Sequence, residues 1–353
     1  MKKKCLLINN AYPTIQNPNC STYTKSIENC LRRSGLEVDL LVIKYQRQIT
    51  LIYKVLKYVQ FWLKLLFVNQ NRYDYIYLNI PPYAWPLFLN PTYKASRVIN
   101  HWHGDEVVVN TLFLRFAKPF VVGKTKTCTY VVPSKYFERV LLNEFKINKN
   151  MIMISPSGGV DINAFKCNKR LIGDTLILGF SSGMSKSKGS DMVMLLINHK
   201  EDIEKIINHK VIFKIIDYGS DMSVYKNELT NNKCVQLVQK MSKEMMPCFY
   251  NGIDILLMCS KRSESLGLVV LEAMSCNKPV IGFNMFAFPE FVISGVSGEL
   301  VNYSQNEYEN INKIISAIEK VVCSYENYDP RSIIVRNYSS EVVINQYKNI
   351  FKC

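Results

Sequence analysis

The sequence predicts an α/β protein with two Rossmann-like domains, each built on a doubly wound parallel sheet. The 353 residues are enough for two buried cores, and 48% apolar with 21% charged residues is typical of globular proteins. Short apolar runs also alternate with helical patterns in two successive series, as parallel sheets require. The predicted strands are 5–9, 38–43, 75–79, 98–101, 130–132 and 151–155 in the first series, and 176–180, 211–216, 235–238, 253–258 and 280–283 in the second.

The first predicted domain comprises residues 1–165 and the second residues 166–335. The boundary is placed near residues 156–161, where a proline and two glycines interrupt the alternating pattern. Residues 336–353 are predicted to form a C-terminal helix that could cross back to the first domain. Ligands of open parallel sheets bind at the carboxyl ends of the strands, so we expect the site in the cleft between the two sheets.

Positive charge is concentrated in the first predicted domain. Residues 1–165 contain 22 Lys and Arg against 9 Asp and Glu, a net charge of +13 out of +15 for the whole chain. Such a field attracts phosphate, and nucleic acid, anionic lipid and a phosphorylated small molecule all fit on charge alone. The choice among these partners has to come from motifs.

The cysteines and the N-terminal residues indicate a compartment. The eleven cysteines include no C-x-x-C pair, which argues against a disulfide framework and against a zinc site. The apolar run before Asn9 has only four residues, too short for a signal peptide. No uncharged run reaches the ~18 apolar residues that span a bilayer. We therefore expect a cytoplasmic protein.

Residues 51–68 predict an amphipathic helix. Lys54, Lys57 and Lys64 fall on one stripe, while apolar and aromatic residues, Trp62 among them, cover most of the remaining surface. A helix of this kind can lie on an anionic membrane surface. The alternative is a helix packed on a domain core, with lysine side chains that reach back to solvent.

The stretch SESLGLVVLEAMSCNKPVI, residues 263–281, places two carboxylates in an otherwise apolar segment. Glu264 is predicted in the loop after strand 253–258, and Glu272 about one turn inside a helix over residues 268–275. The predicted N-terminus of this helix therefore lies between the two glutamates.

Backbone amides at this helix N-terminus are suited to a pyrophosphate. Leu266, Gly267 and Leu268 supply the amides, and the missing side chain of Gly267 permits close approach. Carboxylates on either side can accept hydrogen bonds from sugar hydroxyls. Hydroxyls flanking two phosphates are the layout of a nucleotide-sugar.

In this context the segment resembles the E-x7-E motif of the family 4 retaining glycosyltransferases of GT-B fold, in which two Rossmann-like domains face each other across a cleft. The residues that carry the resemblance are Glu264, Gly267, Glu272, Ala273-Met274, Lys278-Pro279-Val280, Pro289-Glu290, Ser297-Gly298, Tyr130 to Ser134, Ser155 to Asp161 and Lys188-Gly189. Their order along the chain makes the resemblance far more specific than the spacing of two acids.

The resemblance implies roles for individual residues. Glu264 would hold the donor sugar near its reacting carbon, Glu272 would bind the ribose hydroxyls, and Lys188 would bind the pyrophosphate. His103, at a predicted strand end, matches the family's histidine and would face the donor sugar. The alternatives are solvated roles for the two acids and the lysine, and His101 in place of His103.

The chain departs from the family pattern beside Lys188. Gly183 stands where the family usually carries an arginine, five residues before the pyrophosphate lysine. Lys186 is available as a substitute point charge, without the bidentate fork of a guanidinium.

The function implied is transfer from a UDP- or GDP-linked sugar, with retention, to a hydroxyl of a glycan or glycolipid acceptor. With no D-x-D motif near a strand end, we expect no metal and no cofactor beyond the nucleotide-sugar. The expected setting is the inner face of the cytoplasmic membrane, in O-antigen or capsule assembly, without nucleic acid. A nucleotide-sugar epimerase of the same architecture and a non-catalytic nucleotide-sugar-binding protein are the alternatives, and a nucleic-acid-binding protein would explain only the charge.

Overall fold

The computed structural model describes residues 2–17, 20–45, 50–108, 111–167 and 171–351. The chain divides into two compact units. The first unit contains Met1–Gly159 and Ser340–Cys353, and the second unit contains Val160–Ser339. Residues 352 and 353 of the predicted C-terminal segment lie outside the described residues.

Each unit contains one parallel sheet. The strands are β1 (Lys4–Tyr12), β2 (Glu37–Lys44), β3 (Tyr75–Asn79), β4 (Val98–His101), β5 (Thr129–Val132), β6 (Ile152–Ile154), β7 (Thr175–Phe180), β8 (Lys210–Asp217), β9 (Val235–Gln239), β10 (Ile255–Met258), β11 (Val280–Phe283) and β12 (Gly298–Val301). The first sheet has the order β2-β1-β3-β4-β5-β6 and the second β12-β11-β10-β7-β8-β9. Every pairing is parallel, which confirms the predicted α/β class.

Helices connect the strands. They are α1 (Thr22–Arg33), α2 (Leu51–Phe67), α3 (Asp105–Val108), α4 (Leu112–Thr125), α5 (Lys135–Phe145), α6 (Ser190–Asn198), α7 (Lys200–Ile207), α8 (Met222–Asn231), α9 (Met246–Asn251), α10 (Leu268–Ser275), α11 (Glu307–Cys323), α12 (Pro330–Asn337) and α13 (Ser340–Phe351). Short 3-10 helices occur at Gln70–Arg72, Pro81–Leu89, Ala95–Arg97, Lys149–Met151, Lys186–Lys188, Lys243–Met245, Phe288–Glu290 and Tyr325–Asn327. Within the described ranges, no helix combines the length and the apolar character needed to cross a bilayer.

The first sheet is covered on both faces because its side chains alternate between two cores. On β1, Leu6 and Ile8 enter the core that includes residues of α2, whereas Cys5 and Leu7 enter the core that includes residues of α1 and α13. The helix α13 thus completes the first sheet although it follows the second unit in the chain.

The second sheet positions α10. This helix follows β10, contacts β10 and β11, and packs against α12. It begins after Gly267, whose φ of +70° ends the preceding loop in a left-handed conformation, and its bounds match those predicted from the sequence.

Arg331 of α12 ties the beginning of the second unit to the end of α10. Its guanidinium donates to the carbonyl oxygens of Ile162 at 2.8 Å, of Phe165 at 2.9 Å, and of Ser275. The hydroxyl of Ser275 also donates to the Phe165 carbonyl at 2.7 Å. These bonds attach Ile162 and Phe165 to the second unit, which begins at Val160.

Replacing Arg331 with alanine should therefore destabilise the second unit. The change removes charge-assisted hydrogen bonds and deprives the Ile162 and Ser275 carbonyls of this donor, a loss of about 2 to 4 kcal/mol in the free energy of unfolding. Urea denaturation measures it. Alanine at Arg336, an exposed residue of the same helix, should change stability by less than about 0.5 kcal/mol. Equal midpoints for the two variants would contradict this role of Arg331.

Candidate active site

Two sequence-predicted residues meet at the carboxyl end of the second sheet. Lys188 follows β7 and Glu264 follows β10, and these strands are neighbours in the sheet. The Lys188 ammonium donates to Oε1 of Glu264, and the Ser260 hydroxyl donates to the same oxygen at 3.1 Å. The side chains of Lys188 and Glu264 are only 25% and 13% exposed. A cation and a carboxylate are thus held together next to the loop that leads into α10.

Glu272 lies within α10 and is 6% exposed. The Tyr250 hydroxyl donates to its Oε2 at 3.2 Å, and the Lys243 ammonium lies 3.8 Å from its Oε1. Burial raises the pKa of the Glu272 carboxyl to about 6, while Lys243 and Tyr250 oppose this rise by stabilising the carboxylate. The structure therefore does not place Glu272 on a solvated helix face, and its charge depends on pH close to neutrality.

Close packing fixes the backbone between the two acids. A Cβ atom at Gly267 would lie 2.9 Å from Cε1 of Phe288, and the left-handed φ disfavours any other residue there. Leu266 is buried, and Leu268 is the first residue of α10. Among the described residues no side chain caps the N-terminus of α10. The positive end of the α10 dipole lies at this N-terminus, next to the loop that carries Glu264.

Gly183 is buried against an aromatic ring. A Cβ atom there would lie 2.7 Å from Cε2 of Tyr218, and φ at Gly183 is +80°. The Tyr218 hydroxyl donates to the Ser181 carbonyl at 2.8 Å, which holds the ring in place, and the Lys240 ammonium lies 5.4 Å from the ring centroid. Tyr218 therefore fills the space into which a longer side chain at residue 183 would project. Lys186 is exposed, and its backbone amide donates to Asp221.

His103 lies in the first unit, two residues beyond the end of β4. Its Nε2 atom is hydrogen bonded to Oδ1 of Asn79, and its Nδ1 atom lies 3.3 Å from the Ser157 hydroxyl. Burial lowers the pKa of the His103 imidazole to about 3. His101 is fully buried and hydrogen bonded through Nδ1 to the Tyr77 hydroxyl at 2.8 Å. Both imidazoles are thus held by specific partners, and that of His103 is neutral.

The structure groups the predicted residues with others that the sequence did not indicate. No recognisable motif contains Lys243, Tyr250 or Tyr218. Lys243 lies in a polar stretch, and the two tyrosines follow apolar runs. Only the parallel strand order brings them near Glu272 and Gly183. In the part of the chain that is described, no three His, Cys, Asp or Glu side chains are arranged to hold a metal ion.

Comparison with known proteins gives consistent matches. Residues 162–329 match the family model of glycosyl transferases group 1. An uncharacterized 41.2 kDa protein in the cps region of Klebsiella pneumoniae is 26% identical over 242 residues, which cover 66% of this chain and 63% of that protein. The capsular polysaccharide biosynthesis glycosyltransferase CapM of Staphylococcus aureus is 23% identical over 226 residues, 59% of this chain and 57% of CapM. The matched regions thus span less than two thirds of either relative.

Among solved structures, HepE of Anabaena, crystallised in complex with UDP and glucose, superposes with a TM-score of 0.69. The superposition covers 99% of each chain at 16% sequence identity, so it is a likeness of fold. The match over residues 162–329 covers most of the second unit, including the segment that contains Lys188, Glu264, Gly267 and Glu272. Most of the second unit is thus similar to the glycosyl transferases of group 1.

Proposed function

We propose that the protein is a retaining glycosyltransferase that moves a sugar from a nucleotide-sugar to a hydroxyl of a glycan acceptor. The observation that carries the proposal is the arrangement at the carboxyl end of the second sheet. Lys188, after β7, pairs with Glu264 in the loop before α10. Glu272 lies within this helix and is held by Lys243 and Tyr250. A cation for a diphosphate and two acceptors for hydroxyls are the groups that a nucleotide-sugar requires.

Donor binding would exchange the partner of Lys188. The Lys188 ammonium neutralises Glu264, so neither charge is left unpaired in a partly buried site. A diphosphate bound beside Lys188, at the positive end of the α10 dipole, would replace Glu264 as the partner of the ammonium. Glu264 would then be free to accept a hydrogen bond from a donor sugar hydroxyl. The exchange would couple phosphate binding to sugar binding.

Transfer would proceed on one face of the sugar. The bond between the anomeric carbon and the leaving phosphate oxygen breaks, and the acceptor oxygen bonds to this carbon from the same side. The acceptor's proton passes to the departing diphosphate, whose negative charge is stabilised by Lys188 and the amides of Gly267 and Leu268. In this mechanism side chains and amides carry the charge of the leaving group, and no protein-bound metal is needed.

The donor and the pathway are proposed from the relatives. HepE binds UDP and glucose, which supports a uridine diphosphate sugar as the donor. A guanosine diphosphate sugar is the alternative donor. CapM is a capsular polysaccharide biosynthesis glycosyltransferase, which supports a role in assembling a surface polysaccharide such as capsule or O-antigen. Acceptors in such assembly can be held on a lipid carrier at the inner face of the membrane.

The surface of α2 supports a membrane-bound acceptor. Phe61 and Leu65 of this helix are buried, yet Leu51, Ile52 and Phe67 are 78%, 75% and 81% exposed. We call the exposed apolar residues of α2 and the adjoining α4 the apolar face; it consists of Leu51, Ile52, Val55, Leu56, Val59, Leu63, Phe67, Leu112 and Phe116.

The two helices of the apolar face are joined by stacking of Trp62 on Phe113, with ring centroids 6.2 Å apart. Lys54 and Lys64 are exposed on α2, and Lys57 lies over the Tyr53 ring. An exposed apolar surface beside a stripe of lysines is suited to the boundary between lipid headgroups and acyl chains. We propose that α2 holds the protein peripherally on anionic membrane.

The test of the proposed function is a panel of UDP- and GDP-sugars in thermal shift assays, followed by incubation with glycan and lipid-linked acceptors. A donor should raise Tm by mass action, and NMR of the product should show the anomeric configuration of the donor. Activity should persist in EDTA. An epimer formed from donor alone would identify an epimerase instead, and donor binding without turnover would identify a binding protein.

The exchange at Lys188 predicts a particular set of donor affinities. Lys188→Ala should weaken binding by about 10- to 150-fold, because it removes a cation from the diphosphate and leaves Glu264 beside it. Glu264→Ala should lower kcat more than donor affinity. In the double variant the loss should be smaller than the sum, because the repulsion is gone. Lys205→Ala, at an exposed pair outside the site, is the control. Unchanged donor affinity in Lys188→Ala would remove this residue from the site.

Glu272 predicts a pH dependence of donor binding. Its carboxylate is the better acceptor for ribose hydroxyls, so affinity should fall by up to about tenfold between pH 7 and pH 5 as a carboxyl of pKa about 6 is protonated. Calorimetry should use an intact nucleotide-sugar, because a terminal phosphate monoester itself ionises near pH 6. In Glu272→Gln the dependence should disappear.

The same pKa also fixes the sign of the effect on stability. A carboxyl whose pKa is raised on folding binds its proton more tightly in the native state, so its contribution to the free energy of unfolding declines as pH rises through about 6. Donor affinity and this contribution therefore change in opposite directions over the same pH range. A donor affinity that is flat from pH 5 to pH 7 in the wild-type protein would count against Glu272 as a ribose ligand.

Membrane binding is tested by sedimentation with anionic vesicles. The wild-type protein should sediment with them at low salt and less at high salt, since each lysine near the surface contributes about 1 kcal/mol that salt screens. The triple variant Lys54→Glu, Lys57→Glu, Lys64→Glu should no longer sediment with the vesicles. The triple change Lys25→Glu, Lys146→Glu, Lys149→Glu alters three exposed lysines elsewhere in the first unit and serves as the charge-matched control. Equal loss in both variants would show that binding depends only on total charge.

A further inference from the structure

Both ring nitrogens of His103 have hydrogen-bond partners in the first unit. Nε2 meets Oδ1 of Asn79, the last residue of β3, and Nδ1 lies 3.3 Å from the Ser157 hydroxyl. A neutral imidazole carries one hydrogen, so one of these contacts must be donated by the ring and the other accepted by it. The partners decide which nitrogen carries the hydrogen.

The Asn79 amide lies between His103 and a buried threonine. Its Nδ2 donates to the Thr24 hydroxyl oxygen at 3.1 Å, and both residues are almost fully buried. The same oxygen accepts a hydrogen bond from Asn9 Nδ2 at 2.6 Å. With its NH₂ group directed at Thr24, Asn79 presents its carbonyl oxygen to His103. Because this oxygen only accepts, Nε2 of His103 must be the donor.

The orientation of Asn9 is set independently by the main chain. Its Oδ1 accepts from the Asn10 amide at 2.9 Å, and its Nδ2 donates to the Ala11 carbonyl at 2.8 Å as well as to Thr24. A chain of hydrogen bonds therefore runs from the last residues of β1, through Thr24 and Asn79, to His103. This chain of buried amides is built from β1, β3 and α1.

Nδ1 of His103 then has a lone pair that accepts from the Ser157 hydroxyl. Ser157 belongs to the loop after β6 and is 5% exposed, with a left-handed φ of +39°. Its amide donates to the Ser155 carbonyl at 2.8 Å, and the next residue, Gly158, packs so closely on α1 that a Cβ atom would lie 2.9 Å from Cβ of Ser26. Holding a serine in this unfavourable conformation keeps its hydroxyl beside the ring.

Burial keeps the His103 imidazole neutral. The rings of His103 and His101 are 4.0 Å apart between centroids, and the Tyr23 ring lies at 4.5 Å. The carboxylate of Glu106 accepts from the backbone amide of His103, not from its ring. The ring nitrogens therefore have neutral partners, Asn79 and Ser157.

We propose that Asn79 is a positioning residue that holds His103 in the Nε2–H tautomer, leaving Nδ1 as the nitrogen that exchanges its partner during transfer. The Asn79 contact is anchored by the chain of buried amides, whereas the contact at Nδ1 is 3.3 Å long and is made by a loop residue. A sugar hydroxyl would replace Ser157 as the donor to Nδ1. This last step rests on the proposed function, whereas the tautomer does not.

The experiment is ¹⁵N NMR of the imidazole nitrogens in the 353-residue chain. The chain has only four histidines, so His→Gln variants assign every signal. In the wild-type protein His103 should show a protonated Nε2 and an unprotonated Nδ1. A protonated Nδ1, or rapid exchange between tautomers, would overturn the proposal without any variant.

Two substitutions at Asn79 form a matched pair. Asn79→Leu keeps the shape and removes the acceptor, so the Nε2–H tautomer should be lost, whereas Asn79→Asp keeps an acceptor and should retain it. Ser157→Gly suits the left-handed backbone and removes only the hydroxyl, so it should shift the Nδ1 signal and leave Nε2 protonated. Asn90→Leu removes another buried amide, which bonds to the Leu65 and Val68 carbonyls, and should leave the His103 signals unchanged. If Asn79→Leu does not fold, the wild-type, Asn79→Asp and Ser157→Gly spectra still decide.

Kinetics separates this proposal from the proposed function. Asn79→Leu should lower kcat about tenfold with little change in donor KM, and Asn79→Asp should restore much of it above the pKa of the imidazole. A lost tautomer with unchanged kcat would uphold Asn79 as the group that fixes His103 and refute the role of His103 in transfer. An unchanged tautomer in Asn79→Leu would refute the positioning role, whatever the activity of the enzyme.

Discussion

Burial of both faces of each parallel sheet is the constraint on which the other features depend. Leu6 and Ile8 of β1 enter one core while Cys5 and Leu7 enter the other, so the strand has no face left for polar chemistry. Polar side chains that must meet a ligand are therefore confined to strand ends and the loops that follow. In the second sheet the adjacency of β7 and β10 brings together two such loops, and with them Lys188 and Glu264.

The sequence was a good guide to elements whose boundaries have a local cause. Helix α10 begins and ends as predicted because Gly267 precedes it and Asn277, with a φ of +58°, turns the chain after it. The edge strand β12, Gly298–Val301, was not among the predicted strands, since four residues that include a glutamate give no alternating pattern. Glu299 is tolerated there because Lys320 and Tyr328 bond to its carboxylate.

For the candidate site, the sequence indicated individual residues but not the pairings between side chains. The motif around residues 263–281 indicated Glu264 and Glu272, yet their partners are distant in the chain: Lys188 is 76 positions from Glu264, and Tyr250 is 22 positions from Glu272. Such pairs depend on the order of strands in the sheet, which no local pattern encodes. The same limit applies to His103, whose match to a family histidine gave no indication of Asn79 or Ser157 as its partners.

The contact between Gly183 and Tyr218 also has an evolutionary consequence. Because the tyrosine ring fills the space beside a glycine held at a φ of +80°, an arginine at residue 183 would meet both a steric clash and an unfavourable backbone. A lineage that exchanged one arrangement for the other would have had to change residue 218, and the backbone of this loop, before or together with residue 183. The two positions therefore form an epistatic pair, in which the order of substitutions decides which intermediates can fold.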